Sequence, residues 1–321
     1  MIESGVLTLI QAGPHTLLQD LGRRGTQHLG FSQSGAIDEH SFLWANKLVG
    51  NEMNSPCLEI SFGPFECIFS ADTVIAITGA ANNIHITKYH DDETTPITGW
   101  ESITIDAGDK LFIAAPKSGL RTYLAVQQGF LFDSKFNSAA MVPKESSGPY
   151  NGGCFSKGQQ LEYCSPQKSV CKHKIKKMTP RRYIPDYAQT LILDFIPNPH
   201  FLKIAPELIQ KFATSEYRVS QQSNRMAYSL ESESPITIEK TPQLSSATPY
   251  GTIQIPPNGQ PFILLKDRQT IGGYPVLGYV THIDCFKLGQ RRPHQKVRFS
   301  HTTLEASQDK LAEFYTFFSY A

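Results

Sequence analysis

From Pro261 the sequence passes out of an apolar run, Pro-Phe-Ile-Leu-Leu, into Lys266-Asp267-Arg268-Gln269-Thr270-Ile271-Gly272-Gly273-Tyr274-Pro275. Gln269, Thr270 and Tyr274 supply neutral hydrogen-bonding groups. The Gly272-Gly273 pair can take positive φ and lets backbone N–H groups approach a ligand closely. Such a turn suits amides and carboxylates better than metal ions. The same residues also suit a β-turn that merely joins two strands, so the other polar blocks of the chain decide between these readings.

Three further blocks share this chemistry. They are Gln19-Asp20-Leu21-Gly22-Arg23-Arg24-Gly25, Ser34-Gly35-Ala36-Ile37-Asp38, and Ser220 to Tyr228 with Ser223-Asn224-Arg225-Met226 at its centre. Gly251-Thr252-Ile253-Gln254-Ile255 runs just ahead of the 266–275 block and adds the Gln254 carboxamide. Activating an amide requires hydrogen-bonding its carbonyl, holding any carboxylate and moving a proton as charge develops. Arg225, with Ser223 and Asn224 beside it, offers paired donors in a fixed plane for a carboxylate or phosphate; an arginine tying two strands together looks the same in sequence. Asp20 and Asp38 are the carboxylates placed to act as bases or to orient one. Helix capping accounts equally for Asp38, and a structural ion pair with Arg23 accounts for Asp20. Ser223, Asn224, Gln254, Gln269, Thr270, Gly272, Gly273 and Tyr274 are the expected substrate-binding groups.

Other chemistries find little support. Six cysteines, at positions 57, 67, 154, 164, 171 and 285, form no C-x-x-C pair, and the histidines show no ligand spacing, so no metal site is expected. His282-x-Asp284 lacks a third ligand and is expected to be structural. There is no G-x-x-x-x-G-K-[ST] phosphate loop, so any ATP site either has no recognised motif here or lies largely on a partner. Lys177-Met178 lacks the Ala-Met-Lys-Met context of a biotin acceptor, so any biotin must arrive on another protein.

The elements that must position these blocks read as short strands. With 21 prolines and 23 glycines in 321 residues, the chain is expected to be mostly β, in two domains. Apolar runs recur at 6–10, 73–78, 110–114, 122–126, 191–196, 236–239, 251–255, 262–265 and 296–299, separated by turn residues, as in barrels or sandwiches. Helices are expected from Asp38 (N-cap) to Gly50 (C′), over 199–217, and at the C-terminus. There Thr302 and Glu305 are spaced as a capping box, and Leu304, Leu311, Phe314, Tyr315 and Phe318 form one stripe. Net charge is +1, but Lys168, Lys172, Lys174, Lys176, Lys177, Arg181 and Arg182 fall together, leaving 23 basic against 29 acidic residues elsewhere. Without interleaved aromatics and beside Pro166, Pro180 and Pro185, this run reads as a solvated linker, not a nucleic-acid or membrane contact. The expected domains are therefore 1–165 and 187–321, joined by a basic linker over 166–186. No basic n-region or long apolar segment is present, so a cytoplasmic location is expected.

In this order, Q-D-x-G-R, G-A-x-D, S-N-R-M and Q-T-x-G-G-Y-P resemble the carboxyltransferase-like family that includes the C subunit of 5-oxoprolinase, the KipA proteins and the carboxyltransferase part of urea carboxylase. The match is close to the first of these and runs from about Leu7 to Phe299. Ala227 departs from the pattern, standing where the family carries glycine after Met226. The resemblance implies two cyclophilin-like β-barrel domains and two partners, the KipI-like B subunit and the A subunit of 5-oxoprolinase. It also implies one of two amide reactions, ATP-dependent opening of 5-oxo-L-proline to L-glutamate or carboxyl transfer from carboxybiotin to urea. A KipA-like regulator that binds a KipI-like inhibitor of a sensor kinase would reuse the same scaffold.

Overall fold

The computed structural model describes residues 3–134, 136–165, 176–238 and 244–319. Its chain divides into two compact units, Met1–Arg23 with Asp38–Tyr187, and Arg24–Ile37 with Ala188–Ala321. The sequence assigns residues 24–37 to the N-terminal domain, whereas in the structure they cluster with the second unit. The physical reason is contact between segments far apart in sequence: Ile37 belongs to the second unit's apolar core, and Ser34 donates its backbone N–H to Lys266 O at 2.9 Å.

The first unit contains, in chain order, β1 (Glu3–Gln11), β2 (His15–Gln19), α1 (Glu39–Val49), β3 (Cys57–Ser61), β4 (Phe65–Phe69), β5 (Thr73–Gly79), β6 (Ile84–Thr87), β7 (Thr94–Ile97), β8 (Ser102–Ile105), β9 (Lys110–Ile113), β10 (Arg121–Val126) and β11 (Gln160–Ser165). They form two antiparallel sheets, ordered β11-β1-β4-β9-β6-β7 and β2-β3-β10-β5-β8. Leu7, Leu9, Phe65 and Leu111 from one sheet and Leu58, Ile60, Ile75 and Ile77 from the other fill a single core. Helix α1 begins and ends where its local chemistry dictates. Asp38 Oδ1 accepts from Ser41 N at 3.1 Å, and Gly50 stops the helix at φ 76°, a conformation glycine adopts without a Cβ clash.

Residues 166–175 of the expected linker lie outside the described residues. The part that follows packs on the first unit, with Met178 bridging Glu101 and Lys176 Nζ 2.8 Å from Glu101 Oε1.

The second unit contains β12 (Leu191–Pro197), α2 (Pro199–Ile204), α3 (Pro206–Thr214), β13 (Tyr217–Val219), β14 (Ala227–Glu231), β15 (Ser246–Ala247), β16 (Thr252–Gln254), β17 (Phe262–Leu264), β18 (Ile271–Gly272), β19 (Val276–Val280), α4 (His282–Leu288), β20 (Lys296–His301) and α5 (Leu304–Phe317). A closed barrel runs β12-β19-β16-β17-β14-β13-β20, with β12 and β20 parallel, and β15 pairs with β18 in a separate two-stranded ribbon. Phe195, Phe212, Tyr217, Ile253, Ile263 and Val297 pack in its interior. The molecule is mostly β, as the spacing of short apolar runs implies.

Several expected elements shift. The helix over 199–217 is two helices, because Pro206 opens a new one and has no N–H to continue the first. Ile236 to Ile238 forms no strand, and Glu239 lies outside the described residues. The terminal helix is capped by Thr303, which accepts from Ala306 N at 3.2 Å, one residue after the expected Thr302. Its stripe is seated at the far end: Phe318 is buried and Phe314 packs on Phe286 at 5.6 Å, whereas Leu304 is exposed.

Candidate functional site

Strand β16 carries the most unusual polar group of the second unit. Side chains alternate along a strand, so Ile253 and Ile255 enter the barrel core while Gln254 faces the opposite way. Pairing with β19 shifts register here, Ile253 lying opposite Gly278 and Gln254 opposite Val276; such irregularities re-aim side chains. Gln254 is nonetheless fully buried, and neither its Nε2 nor its Oε1 has a hydrogen-bond partner. A buried polar atom left unpaired costs about 1–3 kcal/mol, so both atoms of this carboxamide stand to gain from a hydrogen-bonding ligand.

What lies around it comes from the ribbon and the block after β17. A Cβ built on Gly272 would stand 2.9 Å from Gln254 Nε2, 3.0 Å from Thr248 Cγ2 and 3.5 Å from Gln269 Nε2. Gly272 is therefore glycine for closeness of approach. It does not use the positive φ open to glycine, because it lies extended in β18 and pairs with Ser246. Thr248 fixes the start of the block, its Oγ1 donating to Gln269 O and its N–H to Thr270 O at 3.1 Å. Tyr274 stands outside this arrangement, half exposed, with its ring edge-on to Phe262 at 5.9 Å. The structure thus brings together Gln254, Gln269, Thr270 and Gly272. It adds Thr248, which no motif marks: a threonine before Pro-Tyr-Gly reads as ordinary turn sequence.

Two arginines stand nearby, each bonded to protein groups. Arg225 donates from Nε to Asp267 Oδ2 at 2.8 Å and from Nη2 to Asp267 Oδ1 at 3.0 Å. Its Nη2 also reaches Gly35 O at 2.7 Å and Ser34 Oγ at 3.3 Å. The guanidinium fork expected to clamp a substrate carboxylate holds Asp267 and the 34–35 segment instead, which is the tying role left open by the sequence. Arg268 donates from Nε to Thr248 O at 2.8 Å and lies 5.6 Å from the Tyr250 ring centre; burial pulls its guanidinium below the usual range. Ser223 and Asn224 shape the turn before β14. Ser223 Oγ donates to Ser229 O at 3.2 Å, and Asn224 Oδ1 accepts from Met226 N at 2.8 Å.

In the first unit, Asp20 and Asp38 are both buried and hydrogen-bonded. Asp20 accepts from Gly22 N at 2.7 Å, Ser138 Oγ at 2.8 Å and Ala139 N at 2.7 Å. Asp38 caps α1 and also takes Ser41 Oγ at 2.6 Å. Asp38 N donates to Tyr123 OH, which donates onward to Glu59 Oε2 at 2.7 Å. Burial, with Glu59 and Asp38 adding, pushes the Tyr123 phenol well up. The bonds of Asp38 are those of a helix cap, and those of Asp20 join it to Gly22, Ser138 and Ala139, while Arg23 Nη2 donates to Ala140 O.

Among the described residues, no group of three His, Cys, Asp or Glu is arranged to hold a metal ion. Asp284 serves α4, its Oδ2 accepting from Thr281 Oγ1 and Asp194 N, both at 2.9 Å, while His282 packs edge-on to Tyr250. An open cleft of about 480 Å³ lined by Glu216, Arg218, Glu231 and Glu233 lies on the second unit, away from Gln254. Its lining is exposed charge with no buried, unpaired group, so the chemistry points to the Gln254 cradle. No helix among the described residues is long and apolar enough to cross a membrane.

Comparison with known proteins matches residues 29–301 to a family model described as carboxyltransferase domain, subdomain A and B. The chain is 31% identical to the 5-oxoprolinase C subunit of Escherichia coli (strain K12), over 94% of this chain and 92% of that protein. It is 27% identical to the 5-oxoprolinase C subunit of Haemophilus influenzae, with the same coverage of 94% and 92%. Among solved structures, the urea amidolyase of K. lactis superimposes with a TM-score of 0.84 at 22% identity, over 97% of this chain and 20% of that much longer one, a likeness of fold. With the family model spanning most of its length, the chain belongs to the carboxyltransferase family built of subdomains A and B.

Proposed function

We propose that the chain serves as the C subunit of a 5-oxoprolinase, a complex that opens the lactam of 5-oxo-L-proline to L-glutamate with ATP. The observation that carries this reading is the likeness to the E. coli 5-oxoprolinase C subunit over more than nine-tenths of both chains. The Gln254 cradle supplies a physical role consistent with it. Gln254 and Gln269 hold the lactam through neutral donors and acceptors, and Gly272 lets the ligand approach the ribbon backbone. Charged groups for proton transfer come from a partner, since Arg225 is engaged by Asp267 and Asp20 by three donors. A triphosphate does not fit this neutral cradle, so the nucleotide is assigned to a partner protein of the complex.

The chain is expected to release no glutamate from 5-oxo-L-proline and ATP when alone, and to do so when co-expressed with its B and A partners. Full activity of the isolated chain would contradict the proposed role within a complex. Biotin-dependent carboxyl transfer to another amide is the second reading, favoured by the carboxyltransferase description of the family model. Co-purification of a biotinylated protein, with no glutamate release by the assembled complex, would select it.

A further inference from the structure

Gln254 presents a donor and an acceptor side by side on one planar group, both buried and both unpaired. A ligand that satisfies both at once must itself carry an N–H and a C=O on the same edge. A trans secondary amide cannot, because its N–H and C=O point in opposite directions. A lactam can, since the ring forces the amide cis, and a primary amide or urea can as well. The geometry points to Gln254 as the group that reads this cis-amide edge, pairing with it through two hydrogen bonds beneath the ribbon of Ser246–Ala247 and Ile271–Gly272.

This deepens the amide-binding reading of the same site and rests on it. The ribbon limits access to Gln254. Gln254 has no exposed surface, and Gly272 of the ribbon lies close above its Nε2. The ribbon is held by the two pairs Ser246↔Gly272 and Ala247↔Ile271 and by the bonds of Thr248 to Gln269 O and Thr270 O. Ser246, Ala247 and Ile271 are exposed. An element with so few buried contacts opens at small cost compared with the barrel, so the ribbon lifts to admit the amide and closes over it.

Binding to the full chain, assembled with its partners and without nucleotide, tests this by calorimetric titration with 5-oxo-L-proline, 2-pyrrolidinone, N-methyl-2-pyrrolidinone and urea. Loss of two hydrogen bonds weakens lactam binding about thirtyfold in Gln254→Leu. N-methylation removes the ligand's donor and is expected to cost about tenfold in the wild type and nothing further in Gln254→Leu. Equal N-methylation penalties in the two proteins, or unchanged lactam affinity in Gln254→Leu, overturn the inference and leave Gln254 paired with an ordered water only. Should Gln254→Leu fail to fold, the wild type alone decides: equal affinity for 2-pyrrolidinone and its N-methyl derivative overturns it. The arms also separate this inference from the proposed function. Gln254-dependent binding of 2-pyrrolidinone or urea without glutamate release keeps the cradle and removes 5-oxoproline, whereas glutamate release indifferent to Gln254 does the reverse.

Discussion

Arg225 and Asp267 face each other through two parallel hydrogen bonds, Nε to Oδ2 at 2.8 Å and Nη2 to Oδ1 at 3.0 Å, with both side chains largely buried. Two-pronged pairing gives this contact directional strength that a lysine cannot reproduce. Because the same guanidinium also reaches Gly35 O and Ser34 Oγ, it fastens the 34–35 segment to the 225 and 267 turns within the second unit. Removing Asp267 takes this carboxylate from the buried Arg225 guanidinium. Asp267→Ala is expected to cost about 3–5 kcal/mol in urea unfolding. A loss below about 1 kcal/mol would show that the pair is not a structural tie.

Asp20 allows a similar separation of structure from catalysis. Its carboxylate takes three donors, and in Asp20→Asn the amide would turn a donor towards one of them. The expected result is a loss of about 1–3 kcal/mol in stability, with the kcat of the assembled complex preserved at a temperature where the variant stays folded. A large fall in kcat without a stability change would instead restore Asp20 as a base.

Thiol chemistry reports the cores directly. Cys57 and Cys285 are fully buried and their thiols are pushed far up by burial, as is that of Cys67, whereas Cys154 and Cys164 are partly accessible. The thiolate is the reactive form. With a disulfide reagent at about pH 8, Cys154 and Cys164 are expected to react in the native protein, and Cys57, Cys67 and Cys285 after denaturant is added. Native labelling of Cys285 at the rate of Cys154 would contradict the barrel packing.

Gly272 and Gly251 should respond differently to an added methyl. In Gly272→Ala the Cβ meets the end of the Gln254 side chain at 2.9 Å, a contact the amide can partly relieve by moving. The expected cost is about 1 kcal/mol in stability, together with weakened lactam binding. Gly251 has φ +83° and a Cβ there would lie 2.3 Å from Val280 O, so Gly251→Ala is expected to be the more destabilising change by urea unfolding. Unchanged lactam binding in Gly272→Ala would remove the close-approach argument.

Local signals were the ones legible in the sequence. Asp38 and Gly50 bound α1 because capping involves residues a few positions apart, and Pro206 breaks a helix wherever it stands. Non-local pairings were not legible. Arg225 is visible as a fork-shaped donor, but its partner lies 42 residues away and its other acceptors some 190 residues away. The same limit hid the placement of residues 24–37 with the second unit, since nothing in Arg24 to Ile37 announces which core Ile37 joins. Gln254 stood out as a hydrogen-bonding residue. That its amide would be buried and unpaired depends on the ribbon crossing it, which two-residue strands do not signal in sequence.

The most direct measurement is the steady-state rate of ATP-dependent glutamate release from 5-oxo-L-proline by the complex carrying Gln254→Leu in this chain. The complex is expected to assemble as the wild type does while kcat/KM falls at least about thirtyfold, the value of two lost hydrogen bonds. An assembled Gln254→Leu complex with wild-type kcat/KM would contradict the assignment of the amide site to this chain.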